Sequence, residues 1–244
     1  MSLIRVLING SKGRMGQESV KAVTEDPEME LIAQTDIGDN LSDTIIQAKA
    51  QVVVDFTTAA VVMENAVAII ESGARPVIGT SGLLPEQVSY LQELCKKHNN
   101  GGVIVPNFAI GAVLMMKYAQ DAAKYFPNAE VIELHHDRKA DAPSGTAIKT
   151  ANLLAESRKS VPEKIDEKEI FPGARGAESQ GIHIHSVRLS GLVAHQEVIF
   201  GGQSETLKIR HDSIHRDSFM PGVCLACKKV IYLNELVYGL EHLL

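Results

Sequence analysis

The chain has 244 residues, 45% of them hydrophobic and 22% charged, the balance of an ordinary globular protein with one large domain or two small ones. A net charge of −6 argues against a nucleic-acid binder, which carries a basic excess, and means that an anionic ligand must meet locally placed cations. Three cysteines without a secretory signal indicate a reducing compartment, and no apolar run approaches the ~20 residues of a membrane span, so the expected location is cytoplasmic with no membrane partner.

The first hundred residues alternate strand and helix. Leu3 to Asn9 reads as a buried strand ending at glycine, Met15 to Thr24 as a helix, and Met29 to Asp36 as a second strand. Val52 to Phe56 is a third strand with a continuous apolar core, followed by a helix over Ala59 to Ser72. Pro76 to Gly79 is a fourth strand, Pro85 to His98 a helix with proline at its start, and Val103 to Pro106 a fifth strand. Strands apolar throughout and separated by helices predict a Rossmann-type parallel sheet covered on both faces.

Past Pro106 to Phe108 the pattern changes, and a domain boundary is expected there. Ala112 to Tyr125 reads as a helix, Ala129 to His136 as a strand, and Gly145 to about Arg158 as a helix. Ser160 to Gln180, with Pro162, Pro172, Gly173 and Gly176, reads as an irregular loop. Three strand-like runs follow, His183 to Leu189, His195 to Gly201 and Glu205 to His211, whose alternation predicts a sheet with one more polar face. Ser218 to Tyr238 reads as one helix or two, and Cys224 and Cys227 within it suit a packed helix face better than a redox or metal pair. The expected class is α/β, with a second, α+β domain built on a mixed sheet.

Strand one runs into Gly10-Ser11-Lys12-Gly13-Arg14-Met15-Gly16, a strand–glycine turn–helix context that suits a dinucleotide. Glycine permits the tight turn and lets a pyrophosphate reach the N–H groups at the helix start. Asp36, twenty residues after Gly16, matches a carboxylate that binds an adenosine ribose. It favours NAD, whereas Lys12 and Arg14 suit the extra phosphate of NADP. Two further strand ends, Asp55-Phe56-Thr57-Thr58 and Gly79-Thr80-Ser81-Gly82, are expected to face the same crevice.

The densest chemistry lies in Glu133-Leu134-His135-His136-Asp137-Arg138-Lys139-Ala140-Asp141-Ala142-Pro143-Ser144-Gly145-Thr146-Ala147. The two histidines are expected to close a strand and point to opposite faces, with different jobs. Lys139 is a cation a turn beyond, and Ser144 is an expected N-cap, so a side-chain cation and a helix N-terminus together suit a small dicarboxylate that is also protonated. His183, His185, His195, His211 and His215 form no convincing ligand set; His183 and His185 share a strand face that could bind metal but better suits a polar sheet face, and no metal is expected.

These pieces resemble the dihydrodipicolinate reductase family of bacterial and plant lysine biosynthesis. The resemblance rests on Gly10 to Gly16, Asp55-Phe56-Thr57, Gly79 to Gly82, Pro106-Asn107-Phe108 and the Glu133 to Ala147 segment, in family order and nearly end to end. It implies a dinucleotide domain over residues 1–107 with 213–244 packing back on it, and a substrate-binding domain over 108–212 that assembles a homotetramer through its sheet. It implies hydride transfer from NADH or NADPH to a cyclic dicarboxylated imine, with hinge closure near Pro106 and before Ser218. By matching position, His135 is the expected proton donor and acceptor, and Lys139 the second acid and substrate anchor. His136, Gly145 and Thr146 are expected substrate contacts. Gly10, Ser11, Lys12, Gly13, Arg14, Met15, Asp36, Gly79, Thr80, Ser81, Val105, Pro106, Asn107 and Phe108 are expected cofactor contacts. One departure is visible: where many members carry Gly-Glu-His after the first late strand, this chain reads Val193-Ala194-His195-Gln196. Other readings on the same scaffold are a homoserine- or aspartate-type dehydrogenase and an NAD-binding sensor without turnover.

Overall fold

The computed structural model describes residues 2–161 and 168–244. It divides into two compact units, one formed by the chain up to Ile110 together with Arg216–Leu244, the other by Gly111–His215.

The first unit is a six-stranded parallel sheet. Its strands are β1 (Ile4–Asn9), β2 (Met29–Thr35), β3 (Val52–Asp55), β4 (Arg75–Ile78), β5 (Gly102–Ile104) and β11 (Leu236–Tyr238), in the spatial order β11-β5-β4-β3-β1-β2. Val6, Leu7, Ile8 and Val52 to Val54 are fully buried, as expected of strands sandwiched between helices. On one side α2 (Leu41–Ala48), α3 (Val62–Glu71) and α4 (Pro85–Lys97) close a core in which Ile45, Ile69, Ile70 and Leu91 pack on Leu7, Val53 and Ile78. α1 (Arg14–Glu25) and α7 (Met220–Val230) pack against each other, and α7 also meets β3 and β4. Cys95 and Cys227 are buried, and burial pushes the Cys95 thiol up to about 11 and that of Cys227 higher still, so both act as packing residues.

Three elements differ from the sequence reading. The stretch Ser218 to Tyr238 is not one or two helices: a 3₁₀ turn (Arg216–Phe219) and α7 are followed by strand β11, parallel to β5. Leu236-Val237-Tyr238 is too short to show a period, and it becomes a strand because β5 offers an unpaired edge. α2 is an additional short helix, N-capped by Asn40, whose side chain accepts from the Asp43 N–H at 3.1 Å. The expected irregular stretch Ser160 to Gln180 contains the short strand β7 (Ala177–Ser179), while its residues 162–167 lie outside the described residues.

The second unit is a five-stranded mixed sheet in the order β10-β9-β6-β8-β7, with β6 (Asn128–His135), β8 (Ile182–Arg188), β9 (Ala194–Gly202) and β10 (Glu205–Ser213). β6 pairs parallel with β8 and antiparallel with β9. Residues of α5 (Ile110–Ala123) and α6 (Gly145–Ser157) close a core with Val131, Ile182, Ile184, Val198 and Phe200. Alternation along β6 therefore sends Val131, Glu133 and His135 to the helix-covered face, and Ile132 and Leu134 to the other.

Candidate active site

In the first unit the expected cofactor residues gather at the carboxyl ends of β1 to β5. The glycine turn is held to β2 by backbone bonds from Gly10 and Ser11 to the Thr35 carbonyl, at 2.9 and 3.1 Å. Gly10 has φ +79°, and a Cβ there would sit 2.4 Å from the Phe56 carbonyl oxygen. Gly13 is the N-cap of α1, with no capping side chain and no acidic residue in the first turn, so Arg14 and Met15 begin a helix whose positive end suits an anion. Asp36 follows β2 rather than ending it, and its carboxylate accepts from the backbone of Lys12 and Ile37 at 2.8 and 2.9 Å. Those two backbone bonds, Lys12 first, hold its pKa below the ordinary carboxylate value.

Beneath this turn lies a buried polar hub. Asp55 is fully buried, and its carboxylate accepts from Asn9 Nδ2 (2.8 Å), Asn65 Nδ2 (2.9 Å), Thr57 Oγ1 (2.8 Å) and Thr80 Oγ1 (2.5 Å). One carboxylate thus ties together the end of β1, the loops after β3 and β4 and the start of α3. Gly79 lies against the Phe56 and Phe108 rings, whose centroids are 5.5 Å apart, and Ser81 is exposed beyond Thr80. Val105 donates to the Ile78 carbonyl, Pro106 is exposed, and Asn107 Oδ1 accepts from the Ala109 N–H. A turn in which Gly10 and Gly13 lack Cβ atoms, over an uncapped helix start and beside the Asp36 carboxylate, fits a dinucleotide.

In the second unit, His135 ends β6 with its ring held from behind. His135 Nδ1 lies 2.5 Å from Glu133 Oε2, and the Glu133 side chain is fully buried. Arg188 of β8 clasps the same carboxylate with two bonds of 3.0 and 2.7 Å and also donates to the Asp141 carbonyl at 2.8 Å. The Ser144 N–H adds a 3.3 Å bond to Glu133 Oε1, which joins the start of α6 to the same group. Burial alone would raise the Glu133 pKa, but hydrogen bonds from Arg188, Ser186 and His135 outweigh it and hold the carboxylate ionised. Burial is also the largest influence on His135 and lowers its pKa; Glu133 opposes this, while Lys139 and Arg188 add to it.

Lys139 Nζ holds both oxygens of the Asp141 carboxylate at 2.8 Å, which shows the contact this ammonium can make with a carboxylate ligand. Ser144 caps α6 by accepting from the Ala147 N–H at 3.3 Å. A Cβ on Gly145 would meet nothing within 4 Å, so the helix start is open in front of Gly145 and Thr146. His136 lies one residue past the strand rather than closing it, so the following turn sets its direction; its carbonyl accepts from the Lys139 N–H at 3.2 Å. Among the described residues no group of three His, Cys, Asp or Glu side chains could hold a metal, and His185 pairs with Glu130 at 2.7 Å.

Sequence reasoning missed Glu133 and Arg188 as partners of His135, and Asp55 as a hub. Glu133 was legible, since a residue two before the histidine shares its strand face; Arg188 arrives through a pairing 55 residues distant in sequence.

Two family descriptions match: "Dihydrodipicolinate reductase, N-terminus" over residues 4–108, and "Dihydrodipicolinate reductase, C-terminus" over residues 111–244. The chain belongs to the dihydrodipicolinate reductase family. The 4-hydroxy-tetrahydrodipicolinate reductases of Streptococcus pneumoniae serotype 19F (strain G54) and strain P1031 are 53% identical to it over 99% of both chains. A solved structure, dipicolinate-bound dihydrodipicolinate reductase from Paenisporosarcina sp. TG-14, superposes with a TM-score of 0.92 at 44% identity, covering 99% of this chain and 100% of that one. Apo scyllo-inositol dehydrogenase from Lactobacillus casei, at 11% identity and TM-score 0.63 over 99% and 92% of the chains, shares the fold alone. The protein is an NAD(P)H-dependent oxidoreductase of lysine and diaminopimelate biosynthesis, with an α/β fold of Rossmann-type and mixed-sheet parts. No helix among the described residues is long and apolar enough to cross a membrane.

Proposed function

We propose that this chain reduces 4-hydroxy-tetrahydrodipicolinate to tetrahydrodipicolinate with NADH or NADPH, using His135 and Lys139 as its proton-handling and anchoring groups. The observation that carries the reading is the clasped His135 beside Lys139 and the open start of α6. A relative described with dipicolinate bound adds a dicarboxylate of the right shape. Bound NAD(P)H supplies the hydride.

The chain's own residues do the rest. Lys139 exchanges the Asp141 carboxylate for one carboxylate of the substrate, and the N–H groups at Gly145 and Thr146 take the other, with His136 alongside. Glu133 keeps Nδ1 of His135 occupied, so Nε2 is the nitrogen that exchanges a proton with the substrate. An incoming dianion offsets the nearby Lys139 and Arg188 charges and raises the proton affinity of His135 towards neutrality, where a proton donor works best. In the first unit, residues Gly10 to Met15 hold the pyrophosphate and Asp36 the adenosine ribose. Gly79 to Ser81 and Val105 to Phe108 line the remainder.

We further propose a cytoplasmic homotetramer joined through the sheet of the second unit. The face opposite α6 carries half-buried Ile132, Leu134 and Ile199, a surface suited to a second copy.

The test is NADH and NADPH oxidation at 340 nm with freshly generated 4-hydroxy-tetrahydrodipicolinate, wild type beside His135→Ala. Turnover that collapses by about 10²–10⁴-fold in the variant is expected. Folded wild-type protein without turnover on either cofactor would refute the reading, and the two rates fix the cofactor.

A further inference from the structure

Glu133 lies deeper than any residue the reaction itself calls for. It is a fully buried carboxylate that accepts hydrogen bonds from His135 Nδ1, both terminal nitrogens of Arg188, the Ser144 N–H and the Ser186 side chain. A buried carboxylate is costly unless its lone pairs are all engaged, and here they are. Two consequences follow from geometry. An ionised carboxylate is an acceptor only, so the nitrogen facing it must carry the proton. Arg188, fastened to the Asp141 carbonyl as well, grips both oxygens of the carboxylate, including the Oε2 that faces the ring, and ties it to the segment that carries Lys139.

We infer that Glu133, braced by Arg188, is a positioning residue that fixes His135 in the Nδ1–H tautomer and sets how readily Nε2 takes up and releases its proton. This rests on the proposed reduction only in the use made of that proton; the tautomer is a property of the free protein. When the imidazolium gives its Nε2 proton to the substrate, the N–H electron pair stays on Nε2, Nδ1–H remains donated to Glu133, and Glu133 itself stays ionised. The other charged groups facing His135 are Arg188 from β8 and Lys139 from the turn after β6, both of which disfavour the imidazolium. Across β9, its partner Ala194 and the Glu133 partner Gln196 are uncharged, and Gln196 donates to Thr150 Oγ1 at 2.7 Å. Glu133 is thus the carboxylate that offsets two cations and burial. A purely structural role for the pair would move none of these proton properties.

The experiment is ¹⁵N NMR of the histidine rings in the full chain, with His135 assigned by its loss in His135→Ala. In wild type the neutral His135 ring should carry its proton on Nδ1. E133Q should lower the His135 titration midpoint by about one pH unit or more and mix the tautomers. R188Q should move the midpoint upwards, because a cation is removed. In turnover, E133Q should lose about 10²-fold in kcat with substrate KM changed less than about threefold, and the alkaline fall of kcat should move to lower pH. A neutral wild-type ring protonated on Nε2, or a midpoint unmoved in E133Q, would overturn the inference. If E133Q does not fold, the E133Q/R188Q pair, which removes both charges together, takes its place: mixed tautomers support the inference and an unchanged Nδ1–H ring overturns it. Wild type that shows the expected tautomer yet fails to turn over would refute the proposed reaction while leaving this assignment standing.

Discussion

Replacing Gly16 by alanine probes how tightly the glycine turn is pressed on α1. A Cβ at Gly16 would stand 2.0 Å from the Gly10 carbonyl oxygen and 2.8 Å from the Ser11 Cα, all of it backbone. Ordinary contact begins at 3.4 Å, so the turn and the helix start must part by about 1.4 Å. No flexible side chain is available to absorb that shift, and overpacking of this kind costs about 1–3 kcal/mol. The displacement falls on the segment proposed to hold the pyrophosphate, and a misplacement near 1 Å can cost about 10²-fold in rate. Urea unfolding of Gly16→Ala should therefore lose about 1–3 kcal/mol, and kcat/KM for NADH should fall by about 10²-fold. The same substitution at Gly13, whose Cβ would meet that oxygen at 3.2 Å, should destabilise far less. Wild-type unfolding and kcat/KM in Gly16→Ala would refute the argument that close approach demands glycine there.

Asp36→Ala removes a charged acceptor for the ribose and should raise the KM for NADH by about 10–150-fold while affecting NADPH less; equal losses for the two cofactors would remove Asp36 from that role. Asp55→Asn turns one acceptor of the buried hub into a donor facing donors, and denaturant unfolding should show a loss of about 1–3 kcal/mol with a raised NADH KM; unchanged values would mean the loops do not hang on this carboxylate. For acid stability the signs agree. His135 is lowered from its ordinary 6.5, so between that value and its folded pKa the unfolded chain binds more protons, and stability declines as pH drops through 6.5. Glu133 is lowered from 4.5, and its contribution, present above that value, is lost as pH falls through its folded pKa. Wild type should therefore lose unfolding free energy below pH 6.5 more steeply than His135→Ala, and parallel curves would contradict the buried-histidine account.

The parallel sheet was legible because Val52-Val53-Val54 and its neighbours are apolar on both faces, which only a doubly covered sheet requires. The glycine turn was legible because strand, turn and helix occur in unbroken order. Leu236 to Tyr238 was not, since three residues carry no periodicity and their strand character is conferred by β5. His136 lies one residue beyond the end of β6, which suffices to take its side chain out of the strand alternation that the sequence suggests. Lys139 reads as a bare cation in the sequence, whereas its partner Asp141 is settled by how the turn after β6 folds. The clasp on His135 was half legible: Glu133 by its spacing, Arg188 only through the β6–β8 pairing that α6 and β7 intervene to bring about.

Because β11 and α7 come from the last 29 residues, the first unit is interrupted in sequence by the whole of the second. On a ribosome, β1 to β5 emerge early, yet β5 has no outer neighbour until Leu236–Tyr238 have been made. The nascent sheet must wait through more than a hundred residues with an open strand edge and with the α7 side of β3 and β4 uncovered, a state that invites association with other chains. A chain interrupted before residue 216 would therefore contain the whole of the second unit, while the first would lack α7 and β11. The arrival of residues 216–244, which bring α7 and β11, is the event that covers these strands.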